Sequence, residues 1–399
     1  MRTSPPDSVD TSYATDALSL FGGGLFYRWQ VLCRLTTPTQ WHLSRRLTWT
    51  LAISWLPLVI ITAASHPEQL RGLLQDYGVY ARIMVAIPVL LIGQFLMEGR
   101  FRLLAIHLRK AGLLDDDGQR RIDAAIGTLR RLRDSTIPEL LIVVVVIADI
   151  VLLGQHRVSR GATWAIATSG GTSHLSMAGW YYLLVSMAIY QFLILFTFWK
   201  WLLWSFFLIT LSRMPLKLVA THADGHGGLG FLGLAAAAFN PVALALSASI
   251  GATWRHEILH SDVTLASLRL PAIGLLALIF IAELGPMCFF VPRLTVLRSK
   301  ALLDYGVPAQ DHASYFHRKW ILHGEDRERE HLAVADVTTL AFAASYDRIK
   351  RMRPFPVDKG ALIGLALAVL VPLIPVVLAE IPLAVILKGL FEAVRAAPL

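Results

Sequence analysis

Long apolar runs separated by charged stretches dominate the chain. A membrane-spanning helix needs roughly 20 mostly apolar residues to cross about 30 Å of hydrocarbon. Seven runs approach this requirement, at residues 49–64, 79–97, 137–154, 177–211, 229–250, 270–292 and 361–379. The pattern predicts an all-α integral membrane protein with about seven transmembrane helices.

The fourth run is too long for a single crossing, and Lys200 interrupts it between Trp199 and Trp201. Tryptophan rings and a lysine amine both favour a membrane–water boundary. The pattern therefore places the span at about 177–198, with Lys200 at the interface and residues 201–211 continuing along it.

The composition agrees with a membrane protein. Hydrophobic residues make up 55% of the chain, charged residues make up 16%, and the mean hydropathy is +0.56. Soluble domains average about 25% charged residues. The apolar content excludes a disordered chain, and a count of two cysteines excludes a disulfide-rich secreted domain.

The basic residues are distributed asymmetrically between the apolar runs. The stretches on one side of the predicted membrane carry 28 lysines and arginines, and those on the other side carry 8. Lys200, inside an apolar run, is counted on neither side. Because cytoplasmic loops are enriched in these residues, the N-terminus is expected in the cytoplasm and the C-terminus on the outer side of the membrane. Attraction to anionic lipid headgroups on the cytoplasmic side accounts for the net charge of +9. No nucleic-acid partner is expected.

Two charged stretches lie between apolar runs on the expected cytoplasmic side. Residues 98–136 are predicted to form two helices joined by a turn at 115–118. Residues 293–359 have a helical pattern with breaks at 306–308 and at 323–324.

The chain is therefore divided into two parts. Residues 1–45 are predicted to contain a disordered start and an interfacial amphipathic segment. Residues 46–399 form a polytopic membrane domain that carries both helical loops. Residues 381–397 have the pattern of a second amphipathic segment.

The string HEILH at residues 256–260 matches H-E-x-x-H. On a helix, His256 and His260 share a face and can hold Zn²⁺, while Glu257 acts as general base. A zinc-dependent membrane metallopeptidase is therefore an alternative, and it is the one hypothesis that needs a cofactor. No third ligand is evident and the motif also arises by chance, so an interfacial turn is favoured.

A glycine-rich string precedes the fifth predicted span and forms a candidate anion or metal site. His222, Asp224 and His226 are plausible metal ligands. Gly227 and Gly228 lead into a helix start, whose free N–H groups favour an anion. The same glycines also suit an ordinary turn.

Three polar residues inside the predicted spans form a candidate polar or ion site. Asn240, next to Pro241, and Glu283, close to Pro286, are expected at similar depth in adjacent helices. Proline frees helix carbonyls that can bind an ion or allow a kink, and a carboxylate inside a membrane is a functional candidate. Asp149 is expected nearer the outer face.

The strings THADGHGGLGFL at 221–232, RKW at 318–320 and RMRP at 351–354 resemble those of a family of uncharacterised bacterial multi-pass membrane proteins with a THxDxxGGLGFL-type motif. The resemblance covers roughly the second half of the chain. The family pattern has proline where this chain has Ala223, and it keeps Glu-Ile-Leu without requiring both flanking histidines, which weakens the zinc hypothesis. The resemblance implies no substrate and no mechanism.

Three hypotheses follow. The leading one is a non-enzymatic transport- or channel-type protein that uses Asn240, Glu283 and the glycine-rich string. The second is the zinc peptidase. The third is a membrane scaffold whose basic loops, including the arginines at 130–133, bind a cytoplasmic partner or anionic lipid. A homo-oligomer is compatible with each hypothesis.

Overall fold

The structure is a computed structural model that describes residues 19–37, 41–154, 158, 163–169, 172–261, 263–322 and 334–380. The expected disordered start at 1–17, the break at 323–324 and the second amphipathic segment at 381–397 lie wholly or partly outside the described residues.

Seven helices in the described part of the chain are long and apolar enough to cross a membrane. This confirms the prediction of a multi-pass helical membrane protein. The spanning helices are α2 (Leu43–Ser65), α4 (Tyr77–Lys110), α6 (Ile137–Gly154), α7 (Met177–Ser212), α8 (Phe231–His260), α9 (Arg269–Tyr315) and α11 (Lys359–Glu380). The shorter elements are α1 (Leu25–Leu32), α3 (Leu70–Gln75), α5 (Asp116–Asp134), α10 (Val334–Arg351), β1 (Ile166–Ser169) and β2 (Thr172–Leu175).

The strands β1 and β2 pair as a short antiparallel hairpin, with Ile166 opposite Leu175. The all-α prediction missed this hairpin because four-residue strands rich in Ser, Thr and Ala give almost no periodic signal. Hydrogen bonds attach the hairpin region to the segment before α4: Gln69 Nε2 donates to the Ile166 carbonyl at 3.0 Å, and Trp164 Nε1 donates to Asp76 Oδ2 at 2.9 Å. We call this side of the bundle the hairpin end and the opposite side, where α5 lies, the α5 end.

Side-chain caps explain where several helices begin. Asp76 accepts hydrogen bonds from Gly78 and Val79 at the start of α4, and Asp115 accepts one from the Gly118 amide at the start of α5. The predicted turn at 115–118 is therefore placed too late, because Asp115 is the cap and the next residues already belong to α5.

Helix α9 continues through Pro308, where the sequence pattern predicted a break. Packing against α10 explains the difference. Arg298 Nη2 donates to the Lys350 carbonyl at 2.9 Å, and the rings of Tyr305 and Phe342 stack at 5.7 Å. Contacts between the two helices thus compensate for the hydrogen bond that proline removes.

The largest apolar core extends from the hairpin end to the α5 end, and at the α5 end it joins α4, α7 and α8. The Phe101 ring lies 4.6 Å from that of Trp204 and 5.8 Å from that of Phe239, all three being buried. This packing holds the middle of α4 firmly against α7.

Candidate functional site

A cluster of five charged residues, three of them buried, lies near the α5 end of the bundle. Glu98 of α4 is 4% exposed, Glu139 of α6 is 2% exposed, and Lys200 of α7 is 0% exposed. Arg133 and Asp134 at the end of α5 complete the cluster. We call these five residues the buried charge cluster.

Lys200 is buried within the bundle, so its amine lacks the contact with water from which its interfacial position was predicted; its depth in a membrane stays a prediction. Helix α7 is continuous from Met177 to Ser212 and does not end at Phe198. The Lys200 ammonium lies 4.5 Å from the centre of the Phe196 ring. Its neighbours, and not bulk water, therefore solvate this charge.

Residues 19–26, which we call the N-terminal segment, cover the cluster. The amides of Leu20 and Phe21 both donate to Glu98 Oε2 at 3.1 Å. The Phe26 amide donates to Glu139 Oε2 at 2.6 Å. Trp29 and Leu32 of α1 are exposed, and the interfacial position of this helix stays a prediction. The preceding residues enter the bundle.

The glycine run explains how the N-terminal segment fits there. Gly24 has a φ of +91°, a conformation that side chains other than glycine rarely adopt. A Cβ at Gly24 would overlap Glu139 Oε1, and a Cβ at Gly23 would overlap Asp134 Oδ1. The segment approaches the two carboxylates closely because these positions have no side chain.

Arg133 connects the N-terminal segment to α5. Its Nε and Nη2 donate to the two carboxylate oxygens of Asp134 at 2.8 and 2.9 Å, and its Nη1 donates to the Ser19 carbonyl at 2.8 Å. Burial alone would raise the pKa of Asp134, but the hydrogen bonds and charge of Arg133 hold that pKa below its usual value. Arg133 therefore faces inward, which removes it from the basic surface that the scaffold hypothesis needs.

Two atoms of the cluster have no hydrogen-bond partner among the described residues: Lys200 Nζ and Glu139 Oε1. Glu139, Asp134 and Glu98 attract the Lys200 charge, while Arg133 repels it. A buried charged group without hydrogen bonds is costly. Such a group inside a membrane bundle is a functional candidate.

The cluster continues into the interface between α4 and α7, which we call the α4–α7 seam. One turn from Glu98, Gln94 Nε2 donates to Thr197 Oγ1 at 3.5 Å. Gln94 Oε1 accepts from Arg46 Nη2 of α2 at 3.1 Å. Polar side chains thus extend from the α5 end into the interior of the bundle.

The hairpin end of the same seam is also polar. Arg82 of α4 donates to the Tyr182 hydroxyl at 2.9 Å and to Thr253 Oγ1 of α8 at 3.0 Å.

An apolar layer separates these two polar stretches, and its buried residues are Ala86, Ile87, Leu90, Leu91, Tyr190, Leu193 and Ala245. Arg82 and Glu98 are sixteen residues apart, roughly 24 Å along a helix axis. The seam therefore carries polar groups over most of the thickness of a bilayer, with one apolar interruption.

The glycine-rich string, residues 221–230, folds around its own carboxylate. Asp224 Oδ1 accepts from the amides of His226 and Gly228 at 2.8 and 3.1 Å, and Oδ2 accepts from Gly230 at 2.8 Å. His222 Nδ1 lies 2.9 Å from Oδ1. The amides of Gly228 and Gly230, which the sequence assigned to a candidate anion site, are thus already occupied by Asp224.

Positive φ angles explain the other glycines of this loop. Gly225, Gly227 and Gly228 have φ angles of 68°, 66° and 98°. Gly225 accepts a hydrogen bond from the Arg353 amide at 2.9 Å, and His226 Nδ1 lies 3.2 Å from the Arg353 carbonyl. The string thus connects the start of α8 to the segment before α11.

We expect Asp224→Asn to lower the free energy of unfolding by about 1–2 kcal/mol at neutral pH, because a charged acceptor of three backbone amides is lost. Burial would raise the pKa of Asp224, but these amides and His222 lower it overall, below 3.8. A carboxyl whose pKa is lower in the folded state than in the unfolded state stabilises the fold at pH values above its unfolded-state pKa. This stabilisation is lost as the pH falls through its folded-state pKa.

The difference in the free energy of unfolding between wild type and Asp224→Asn should therefore be constant from pH 5 to 7 and should shrink below about pH 4. Denaturant unfolding in detergent at several pH values measures it. The exposed Asp304→Asn is the control and should change stability by less than about 0.5 kcal/mol. Equal effects of the two variants would contradict the proposed role of Asp224.

Asn240 and Glu283 lie at irregular points of their helices. A short 3₁₀ turn (Ala237–Phe239) precedes Asn240, and another (Gly285–Phe290) follows Glu283. Asn240 lines a cavity of about 310 Å³ together with Pro241, and its Oδ1 has no partner. Glu283 is 8% exposed and its Oε1 has no partner either. Among the described residues no hydrogen bond or ion pair joins these two side chains, and a polar or ion site that they share stays a prediction.

Asp149, the third candidate of the predicted ion site, lies on α6 and faces α7. Gln191 Nε2 donates to Asp149 Oδ2 at 2.6 Å. This contact joins α6 to α7 and lies apart from the charge cluster.

The histidines of the HEILH string lie at the hairpin end of α8. The rings of His256 and His260 stack at 4.3 Å, and His260 Nδ1 lies 3.1 Å from the His256 carbonyl. Within the described residues, which do not include Asp262, no group of three His, Cys, Asp or Glu residues has the arrangement of a metal site. The sequence-based zinc site therefore has no third ligand here.

The sequence reasoning missed Glu98 and Glu139 as site residues. Both lie next to the boundary of an apolar run and resemble solvated loop residues when only hydropathy is considered. The available signals were the single lysine inside a long apolar run and the glycine run after Leu20 and Phe21.

No family model matches the chain, and neither a curated protein nor a solved structure matches it. The resemblance of the second half of the chain to a bacterial membrane family therefore stays a prediction.

Proposed function

We propose that this multi-pass membrane protein is a non-enzymatic transport protein of the bacterial inner membrane, and that it moves protons or small cations along the α4–α7 seam. The observation that carries the proposal is the pair of buried atoms without a hydrogen-bond partner among the described residues, Lys200 Nζ and Glu139 Oε1, at one end of a seam with polar groups at both ends. We place the α5 end in the cytoplasm because its loops hold most of the basic residues.

The arrangement of the seam supports this proposal. Ionisable residues inside spans are rare and tend to mark ion pathways or proton relays. Lys200 and Glu139 supply ionisable groups at the α5 end, and Arg82 with Tyr182 forms the polar part of the seam at the hairpin end. The apolar layer at Leu90, Leu91 and Leu193 blocks water between them, so transport requires this layer to open.

We expect Gln94→Leu to reduce cation or proton flux by about tenfold, the factor that corresponds to about 1.4 kcal/mol in the barrier. The substitution removes the polar contact between α4 and α7 next to the charge cluster. Liposomes that contain the purified protein and an internal pH dye, under an imposed membrane potential, measure proton flux. The same vesicles with potassium or sodium gradients measure cation flux.

Gln75→Leu is the matched control, because Gln75 is exposed outside the seam, and its flux should equal that of the wild type. A wild-type flux no greater than that of empty liposomes would overturn the proposal. Glu283→Gln in the same assay tests the second buried carboxyl. Loss of flux in Glu283→Gln but not in Gln94→Leu would move the pathway to α9.

A further inference from the structure

A groove on the side of the bundle opens between α1, α2, α6 and α7. Its volume is about 440 Å³, within the range of about 300–1,000 Å³ typical of small-molecule sites. Its walls are almost entirely apolar and include Ile53, Val146, Ala188 and Phe192. Several wall residues, including Ile53, are exposed on the outside of the bundle, so the groove is open to the surrounding bilayer.

One charged side chain lines this groove. Arg46 of α2 is 2% exposed, and its Nε and Nη1 have no hydrogen-bond partner among the described residues. Its Nη2 donates to Gln94, and the Trp41 ring lies 5.1 Å from its guanidinium carbon. These contacts hold the guanidinium in place while two of its nitrogens remain available to an acceptor.

The position of Arg46 determines the direction in which a ligand would lie. Arg46 is in the first turn of α2, at the α5 end, and Ile53 is seven residues further along, roughly 10 Å toward the middle of the bundle. A charged head at Arg46 therefore lies near the membrane boundary, and an apolar tail runs along the groove toward the bilayer centre. This is the geometry of a lipid in the leaflet at the α5 end.

We propose that the groove binds one anionic phospholipid, with its phosphate on Arg46 and one acyl chain between α2, α6 and α7. Arginine suits a phosphate because its planar donors bind two oxygens together. The apolar walls suit the chain because each methylene that leaves water favours binding. The site is built into the bundle and adjoins the α4–α7 seam, because Arg46 donates to Gln94 and Leu91 and Leu193 line the groove.

Native mass spectrometry of the full-length protein in a neutral detergent, titrated with phosphatidylglycerol, tests this proposal. We expect one tightly bound phosphatidylglycerol. Arg46→Gln should weaken its binding by at least about tenfold, because hydrogen bonds to a charged group are lost. The neighbouring Arg45→Gln should not, because Arg45 is exposed.

A second variant tests the tail site without changing Arg46. Ala188→Phe places a ring in the groove and should also weaken phosphatidylglycerol binding by about tenfold or more. The matched control is Ala277→Phe, at an exposed position on α9. Retained binding in Ala188→Phe would overturn the proposal.

Parallel titrations distinguish the source of the anionic group. Phosphatidylcholine should bind more weakly than phosphatidylglycerol, and inorganic phosphate should not compete with it. Three results would each overturn the assignment to an anionic phospholipid. They are tighter binding of palmitate than of phosphatidylglycerol, equal binding of phosphatidylcholine and phosphatidylglycerol, and equal effects of Arg46→Gln and Arg45→Gln.

Discussion

Glu139→Gln is expected to lower the free energy of unfolding by about 3–5 kcal/mol, the cost typical of breaking one partner of a buried charge pair. The variant leaves the Lys200 ammonium buried with no hydrogen bond and with Arg133 still repelling it. Lys200→Met alone should also destabilise the protein, because Glu139 then loses the nearby positive charge that attracts its carboxylate most strongly after the Phe26 amide.

The double variant Glu139→Gln, Lys200→Met should be markedly more stable than the sum of the two single effects predicts. Contacting charges usually show coupling energies of about 0.5–3 kcal/mol in such a cycle. Denaturant unfolding of the four proteins in detergent, followed by circular dichroism, gives the coupling energy.

The exposed pair formed by Arg109 and Asp123, whose atoms are 2.8 Å apart, is the matched control for this cycle. A cycle of Arg109→Met and Asp123→Asn should give a coupling energy below about 1 kcal/mol, because solvent screens exposed pairs. If the two cycles give the same coupling energy, Lys200 and Glu139 do not interact as a buried pair.

Hydropathy was sufficient to predict the spans. The run at 137–154 coincides with α6, because Pro138 marks its start and Gly154 its end. In contrast, α4 and α9 extend well beyond the apolar runs at 79–97 and 270–292. Hydropathy reports which residues lie in the bilayer and contains little information about where a helix ends outside it.

The charge cluster was not predictable in the same way. A lysine flanked by two tryptophans is typical of a membrane–water interface. Only contacts with residues distant in the sequence bury Lys200 inside the bundle. The N-terminal segment that covers Lys200 reaches Glu139 across 113 residues of sequence. No local pattern indicates such a contact, because it depends on the close approach of Gly24.

The glycine-rich string shows a second limit of local reasoning. Its glycines indicate a backbone turn, which the loop has, and amides that an acceptor can bind. Whether those amides bind an external anion or the carboxylate of Asp224 depends on the path of the loop, which the order of the residues does not specify. The contact with Arg353 lies more than a hundred residues away along the chain.

Gly24→Ala is expected to displace the N-terminal segment from the charge cluster. The new methyl group would overlap Glu139 Oε1, and the φ of +91° would strain any residue with a side chain. A left-handed conformation alone costs alanine roughly 1–2 kcal/mol, and the overlap adds to it. Exposure of the segment is measured by the rate at which a maleimide modifies Leu20→Cys, at a position that is buried in the wild type.

The experiment uses a background that lacks the exposed Cys33 and Cys288. In this background, Gly24→Ala should raise the modification rate at Leu20→Cys by about tenfold or more, because about 1.4 kcal/mol shifts an opening equilibrium tenfold. Gly99→Ala is the matched control, because a Cβ there meets no atom within 4 Å. Equal rates in the two variants would show that the glycine run does not hold the segment against Glu139. A raised rate together with increased proton flux would assign the segment the role of a gate over the charge cluster.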